Sequence, residues 1–410
     1  MAGITGIIAE YNPFHNGHAY QLEQARLLTG CDFLVVVMSG DYVQRGAPAV
    51  FDKYTRARMA LACGADLVLE LPVACSCASA EFFASGAVSL LDGLGCVDFL
   101  CFGSESGNLQ SLMEPARILA KESPVFQEAL RRGLSLGLSF PAARKEAFRA
   151  CASNPDILDL PNNILGIEYL KALLQRESSI KPVTIKRKGQ GYHDTLLDSG
   201  FASASGIRRF LKQEEAPLSA LPALKESLPD PVMEVLKDTL AHTLPVWEED
   251  FSMLLRYELL RQSASDLTRY ADISPDLGRR LKNCADKFSS FSEFVALVKT
   301  KDVTYTRITR ALFHILLNLT GEDTRNSVAM PYARILGFRK DHSRILGLLK
   351  ENSRIPIIPK AADYKTYLTP DLQPLFEKDL FAANLYETIA AAKQKRAFLH
   401  DLKRSPVILS

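Results

Sequence analysis

The sequence predicts an α/β protein, in which a doubly wound domain on a parallel sheet is followed by a mainly α-helical region. Three observations predict it. Short apolar runs alternate with amphipathic stretches through the first 110 residues. The 410-residue length, with 47% hydrophobic and 23% charged residues, is globular usage and supplies two or three cores. Past about Leu211 the strand rhythm stops, and helical patterns punctuated by Pro217, Pro222, Pro229 and Pro245 take over. The expected division is therefore 1–210, carrying a helical insertion over about 109–175, and 211–410.

The elements follow in order. Ile4 to Ala9 reads as a buried strand, with a helix from about Asn16 to Leu28 after it. Phe33 to Met38 is a second strand. Asp52 is placed to cap a helix running through Tyr54, Arg58 and Leu61. Asp66 to Leu71, closed by Pro72, and Val97 to Phe102, after Gly93 and Gly95, give two more strands. Leu109 to Ala152 is helical, and Pro182 to Arg187 completes a five-stranded sheet. Beyond it, helices are expected over 230–242, 247–262, 302–319 and 341–353.

Several classes are excluded. Nothing approaches 18 consecutive apolar residues, and the first ten residues lack the basic and apolar regions of a signal peptide, so a soluble, cytoplasmic protein is expected. The eight cysteines sit mostly in apolar stretches without a ligand-like spacing, which predicts reduced core thiols and no metal site. Charge is unevenly placed. Residues 1–110 carry a net −6, whereas 299–360 carry a net +7 from side chains that include Arg307, Arg310, Arg334, Arg339, Lys340, Arg344, Lys350 and Arg354. Interleaved with Tyr305, Tyr332 and Phe338, that segment suggests either a polyanionic partner or a solvated helix surface.

The strongest chemical signal follows the first strand directly: Glu10-Tyr11-Asn12-Pro13-Phe14-His15-Asn16-Gly17-His18. A loop at the carboxyl end of a first parallel strand, opening a helix, is where open α/β sheets bind ligands, and the helix N-terminus favours anions. No GxGxxG or GxxxxGK[ST] is present, so neither a dinucleotide oxidoreductase nor a P-loop enzyme is indicated. His15 and His18, three apart, share one side of the first turn, where two imidazoles can donate to a phosphate in flight. Gly17 between them removes a side chain where a nucleotide comes close. After the last predicted strand, Ser203-Ala204-Ser205-Gly206-Ile207-Arg208-Arg209 opens another helix, whose hydroxyls, N-terminus and Arg208 suit a polyphosphate tail.

The His-x-Gly-His loop with this later Ser/Arg segment resembles the nucleotidyltransferase superfamily, whose members form or transfer adenylates. A more specific resemblance runs through nearly the whole chain. It is carried by Tyr11 to His18, Met38-Ser39-Gly40-Asp41-Tyr42-Val43-Gln44-Arg45-Gly46, Asp52-Lys53 to Arg56, and Gly64-Ala65-Asp66 with Leu69-Glu70-Leu71-Pro72. Phe102-Gly103-Ser104-Glu105, Pro161 to Gly166, Ile185-Lys186-Arg187, Gly191-Tyr192-His193-Asp194 and Pro331 to Phe338 continue it. These segments resemble the tRNA(Met) cytidine acetate ligase family. The resemblance implies a HUP/Rossmann-like nucleotidyltransferase domain and an ATP-dependent ligase that makes acetyl-adenylate and acetylates N4 of the wobble cytidine of elongator tRNA(Met).

It also implies ATP contacts at Ile7, Ile8, Ala9, Glu10, Tyr11, Asn12, Pro13, Phe14, His15, Asn16, Gly17, His18, Ala19 and Tyr20, then at Gly103, at Asn162 or Asn163, and at Arg187 with Lys188. His15, His18, Ser203, Ser205 and Arg208 are the expected catalytic set, and acetate and Mg²⁺ carried with ATP complete the reactants. Glu10 stands where many superfamily members carry a hydroxyl residue. Its carboxylate either binds loop backbone or reaches Mg²⁺ through water. His193 and Asp194 are candidates for the base in the transfer step. Two other readings stay open on the residues alone: an adenylyltransferase for a small phosphorylated metabolite, and a non-catalytic RNA-binding factor. The +7 segment speaks against the first, and intact His15, His18 and Ser203 to Arg208 speak against the second.

Overall fold

Two neighbouring strands set the architecture. Along β1 (Ile4–Ala9) and β2 (Phe33–Ser39) successive side chains point to opposite faces. Ile4, Ile8, Val35 and Val37 enter one apolar cluster, while Ile7, Leu34, Val36 and Met38 enter another. A sheet buried on both faces needs helices on both, and crossover helices make its strands parallel. The computed structural model describes residues 2–138, 140–151, 155–187, 203–329 and 331–410, and these form an α/β protein of this kind.

The Asn16–Thr29 helix joins β1 to β2 and ends at Gly30, whose φ of +61° suits a residue without a Cβ. A short hairpin of β3 (Tyr42–Val43) and β4 (Ala47–Pro48) follows, and then the Lys53–Ala62 helix, capped by the Asp52 carboxylate on Tyr54 N and Thr55 N. β5 (Leu67–Leu71), the Ala80–Gly93 helix and β6 (Phe99–Ser104) continue the winding. Helices at Leu109–Ala120, Pro124–Ser135, Phe140–Arg149 and Pro161–Gln175 lie between β6 and β7 (Lys181–Lys186).

The sheet is larger than the five strands expected. Among the described residues it has eight, in the order β10-β8-β5-β2-β1-β6-β7, with β9 beside β8. The additional strands, β8 (Ala333–Arg339), β9 (Ile357–Ile358) and β10 (Val407–Leu409), all come from beyond residue 211. The strand rhythm therefore resumes late in the chain, and β8 lies antiparallel to β5. Tight packing explains Gly337 within β8: a Cβ there would stand 2.6 Å from Val407 O. Between these parts, helices from Asp230–Leu240 to Tyr305–Leu317 fill the expected helical region. Phe251, Phe291, Phe294 and Phe313 centre its core, which also takes in Tyr42, Val73 and Cys77 from the first part of the chain.

No helix is long and apolar enough to cross a membrane among the described residues. All eight cysteines are free thiols, and burial pushes those of Cys75 and Cys77 up to about 12. No group of three or more metal-ligating side chains occurs among the described residues.

Candidate active site

The site begins where one ladder stops. β1 pairs with β2 along its full length, from Ile4↔Phe33 to Ala9↔Met38, but with β6 only at Thr5↔Phe99 and Gly6↔Leu100. Beyond Gly6 a crevice opens between β1 and β6 at their carboxyl ends. The chain winds away from β1 in opposite senses on its two sides, which makes this the topological switch point. The Ile7 and Ile8 side chains belong to the two cores, which leaves only their backbone available to a ligand. Tyr11 and Phe14 are also fully buried, their ring centroids 4.7 Å apart, and pack beneath the loop. Tyr11 takes a left-handed φ of +49°, which turns the chain sharply out of β1.

His15 and His18 stack, with centroids 3.8 Å apart and planes at 27°. His15 Nδ1 accepts Gly17 N–H at 3.0 Å, and His18 Nδ1 accepts His15 N–H at 3.2 Å, so the two rings cap the Asn16–Thr29 helix reciprocally. An acceptor Nδ1 fixes the proton of a neutral imidazole on Nε2. Both rings are held neutral. Burial, then Arg187 and Arg208, pushes the His15 imidazole down to about 3, and burial, His15 and Arg187 lower His18 as well. Gly17 has a structural job within the loop itself. A Cβ there would lie 2.8 Å from His15 Cε1, so the glycine makes room for the His15 ring.

The second motif meets the first. Ser203 caps the Ala204–Gln213 helix by accepting Gly206 N–H at 3.1 Å, with Ser205 Oγ at 2.9 Å. One turn on, Arg208 Nη1 donates to Asn12 O at 2.7 Å, tying this helix to the histidine loop. Asn12 in turn accepts Val50 N–H through its side chain. On the other flank Arg187 lies across Gly103, where a Cβ would stand 3.3 Å from Arg187 Cγ. Glu105 receives Asn162 N, Asn162 Nδ2 and Asn163 N, and Asn163 Oδ1 accepts Ser106 N–H. Both asparagines thus shape the loop after β6. Glu10 Oε1 accepts Gln44 N–H at 2.8 Å, the loop-backbone role. Lys188, His193 and Asp194 lie outside the described residues.

Sequence reasoning gave no separate role to Arg56. Fully buried on the Lys53–Ala62 helix, it donates to Phe51 O, Glu10 O, Ser39 O and Gly40 O, binding the carboxyl ends of β1 and β2 together. Its only sequence signal was its place in the Asp52-to-Arg56 resemblance. Beside it, Lys53, Glu70, Arg334 and Asp401 form a buried ion network, with Lys53 Nζ 2.8 Å from Glu70 and Arg334 Nη1 2.7 Å from Asp401. Burial also lifts the nearby Asp41 carboxyl to about 7.

That network corrects one expectation. Arg334, counted among surface cations, is 2% exposed, and Tyr332 is buried with its hydroxyl on Asp379, so neither can meet a partner. The exposed Lys340 and Arg344 follow the end of antiparallel β8, beside the start of β5, where Arg339 N donates to Asp66 O. They occupy the edge of the sheet opposite the crevice.

Comparison with known proteins identifies the family. A model of the HIGH Nucleotidyl Transferase family matches residues 2–401. A protein of Clostridium tetani named tRNA(Met) cytidine acetate ligase is 42% identical, covering 99% of both chains. One of the same name from Acetivibrio thermocellus is 39% identical over 93% of this chain and 94% of its own. Thermotoga maritima TmcAL bound with alpha-thio ATP superposes with a TM-score of 0.90 at 33% identity, over 99% of both chains. The apo form of that protein gives 0.92 at the same identity and coverage. The chain belongs to the HIGH nucleotidyltransferase family and, within it, to the tRNA(Met) cytidine acetate ligases.

Proposed function

We propose that the chain is an ATP-dependent ligase that activates acetate as acetyl-adenylate and acetylates N4 of the wobble cytidine of elongator tRNA(Met), giving N4-acetylcytidine. The observation that carries the reading is the stacked, neutral His15–His18 pair on the loop that Arg208 grips. The names of full-length relatives supply the acceptor, and the nucleotide analogue in the Thermotoga maritima neighbour supports ATP as the donor.

An acetate oxygen attacks the α-phosphorus of ATP, and pyrophosphate leaves. The two Nε2–H groups face charge that grows on the phosphate oxygens, and a neutral donor stabilises it without giving up its proton. Ser203, Ser205, Arg208 and Arg187 hold the β and γ phosphates, with Mg²⁺ arriving as part of the nucleotide. Ile7 to Tyr20, Gly103, Asn162 or Asn163, and Lys188 complete the ATP contacts. The cytidine N4 then attacks the acetyl carbon and AMP leaves, its phosphate taking the amine proton. Residues 1–210 handle ATP and 211–410 supply the RNA-facing helices, in the cytoplasm where tRNA is found.

ATP–pyrophosphate exchange without RNA tests the first step. Exchange that depends on acetate is expected. Exchange that ignores acetate but needs a small phosphorylated metabolite would overturn the reading in favour of an adenylyltransferase.

A further inference from the structure

The acetyl carbon at the crevice can react only with an amine that reaches it, so the RNA must approach the carboxyl ends of β1 and β6. Lys340 and Arg344 lie at the opposite edge, roughly 20 Å away at about 3.3 Å per strand residue. They cannot hold the reacting nucleotide.

A different set of side chains rims the crevice. The loop after β2 presents exposed Arg45, whose carbonyl accepts Thr309 Oγ at 2.6 Å, while Gly46 abuts the backbone of Arg310. The Tyr305–Leu317 helix is thereby seated on this loop. Tyr305, one turn before Thr309 on the same helix face, is 46% exposed. Across the crevice, Ser205, Arg208 and Lys212 share a face of the Ala204–Gln213 helix, a stripe leading outward from the phosphate cradle. The Lys212 ammonium stands 3.7 Å from Glu248 and 5.8 Å from the ring centre of half-buried Trp247. Gln44 N donates to Glu10 and Arg208 to Asn12 O, so both sides of this rim are tied to the histidine loop, and the charges of Arg45 and Glu248 both act on Arg208.

We propose that this rim seats the unpaired nucleotides of the RNA at the reacting centre, Tyr305 and Trp247 facing bases and Arg45 and Lys212 taking phosphates. The chemistry is that of single-stranded nucleic acid: flat apolar bases joined by anionic links suit aromatic faces set between cations, whereas a paired duplex offers no base faces. Lys212, exposed and paired with Glu248 and the indole beside the Glu249 carboxylate, can exchange them for a phosphate. The inference rests on the reading that the chain acts on tRNA.

Trp247 is the single tryptophan, so the native full-length chain carries its own reporter. Addition of a tRNA(Met) transcript should quench its fluorescence saturably, and Tyr305→Ala and Lys212→Ala should each raise the tRNA KM on the order of tenfold or more. Tyr305→Phe and Lys212→Arg should restore it, which separates a contact from a folding defect. If the native chain acetylates tRNA while the tryptophan stays silent and both alanine variants keep the native KM, this inference is overturned and the ligase reading stands. If tRNA is neither bound nor acetylated, the ligase reading falls and this inference with it.

Discussion

Two imidazoles that burial keeps neutral are poor partners for proton transfer at neutral pH and good partners for a growing negative charge. Changing His15 or His18 to Ala should slow acetate-dependent pyrophosphate exchange by about 10²-fold or more, while ATP binding falls much less because backbone contacts remain. A variant that kept full exchange would remove the pair from the chemistry. The same neutrality has a pH consequence. The folded His15 refuses a proton down to about 3, whereas in the unfolded chain it binds one below its ordinary 6.5. The unfolded state then carries more protons, so the stability His15 contributes is complete above 6.5 and declines as pH falls toward 3. Urea titrations at pH 7 and pH 5 should show that loss, and its reduction in His15→Asn would assign the His15 share, because the lowered His18 supplies the rest. Of this site, the pattern His15-Asn16-Gly17-His18 was legible because spacing alone puts both rings on one turn. The reason for Gly17 was not, since it depends on how the His15 ring folds back over its own helix.

The Ala204–Gln213 helix shows what an element adds to its residues. Its N-terminus, capped by Ser203, and Arg208, bound to Asn12 O, meet the histidine loop as one body. Arg208→Ala should weaken ATP more than AMP, because only ATP carries β and γ phosphates. Equal losses, measured calorimetrically, would place Arg208 elsewhere. Elements of the first 110 residues were legible because their apolar runs are short, continuous and separated by helices. β8 was not: Ala333–Arg339 contains Gly337 and two arginines, and only its burial between β5 and β10 makes it a strand. Long-range pairing of that kind leaves no local signal.

Across the whole molecule, the last eighty residues lock onto the first seventy through buried charge. Arg334 meets Glu70 and Asp401, and Lys53 meets the same two carboxylates. Removing one partner strands the others in a low dielectric, so Arg334→Met should cost about 3–5 kcal/mol in denaturant unfolding. A stable Arg334→Met variant with selectively weak tRNA binding would return that arginine to the surface role its sequence suggested. The charge count could not make the distinction, because a buried and an exposed arginine look alike in composition. On the function proposed, acetate, ATP and tRNA meet at the crevice between β1 and β6. Mass spectrometry of the nucleosides of tRNA(Met), after incubation with this chain, ATP and isotopically labelled acetate, tests it most directly. Labelled N4-acetylcytidine is expected at the wobble position, lost when ATP is withheld and sharply reduced when His18 is changed to Ala. Unmodified wobble cytidine from a folded chain that binds ATP and tRNA would contradict it.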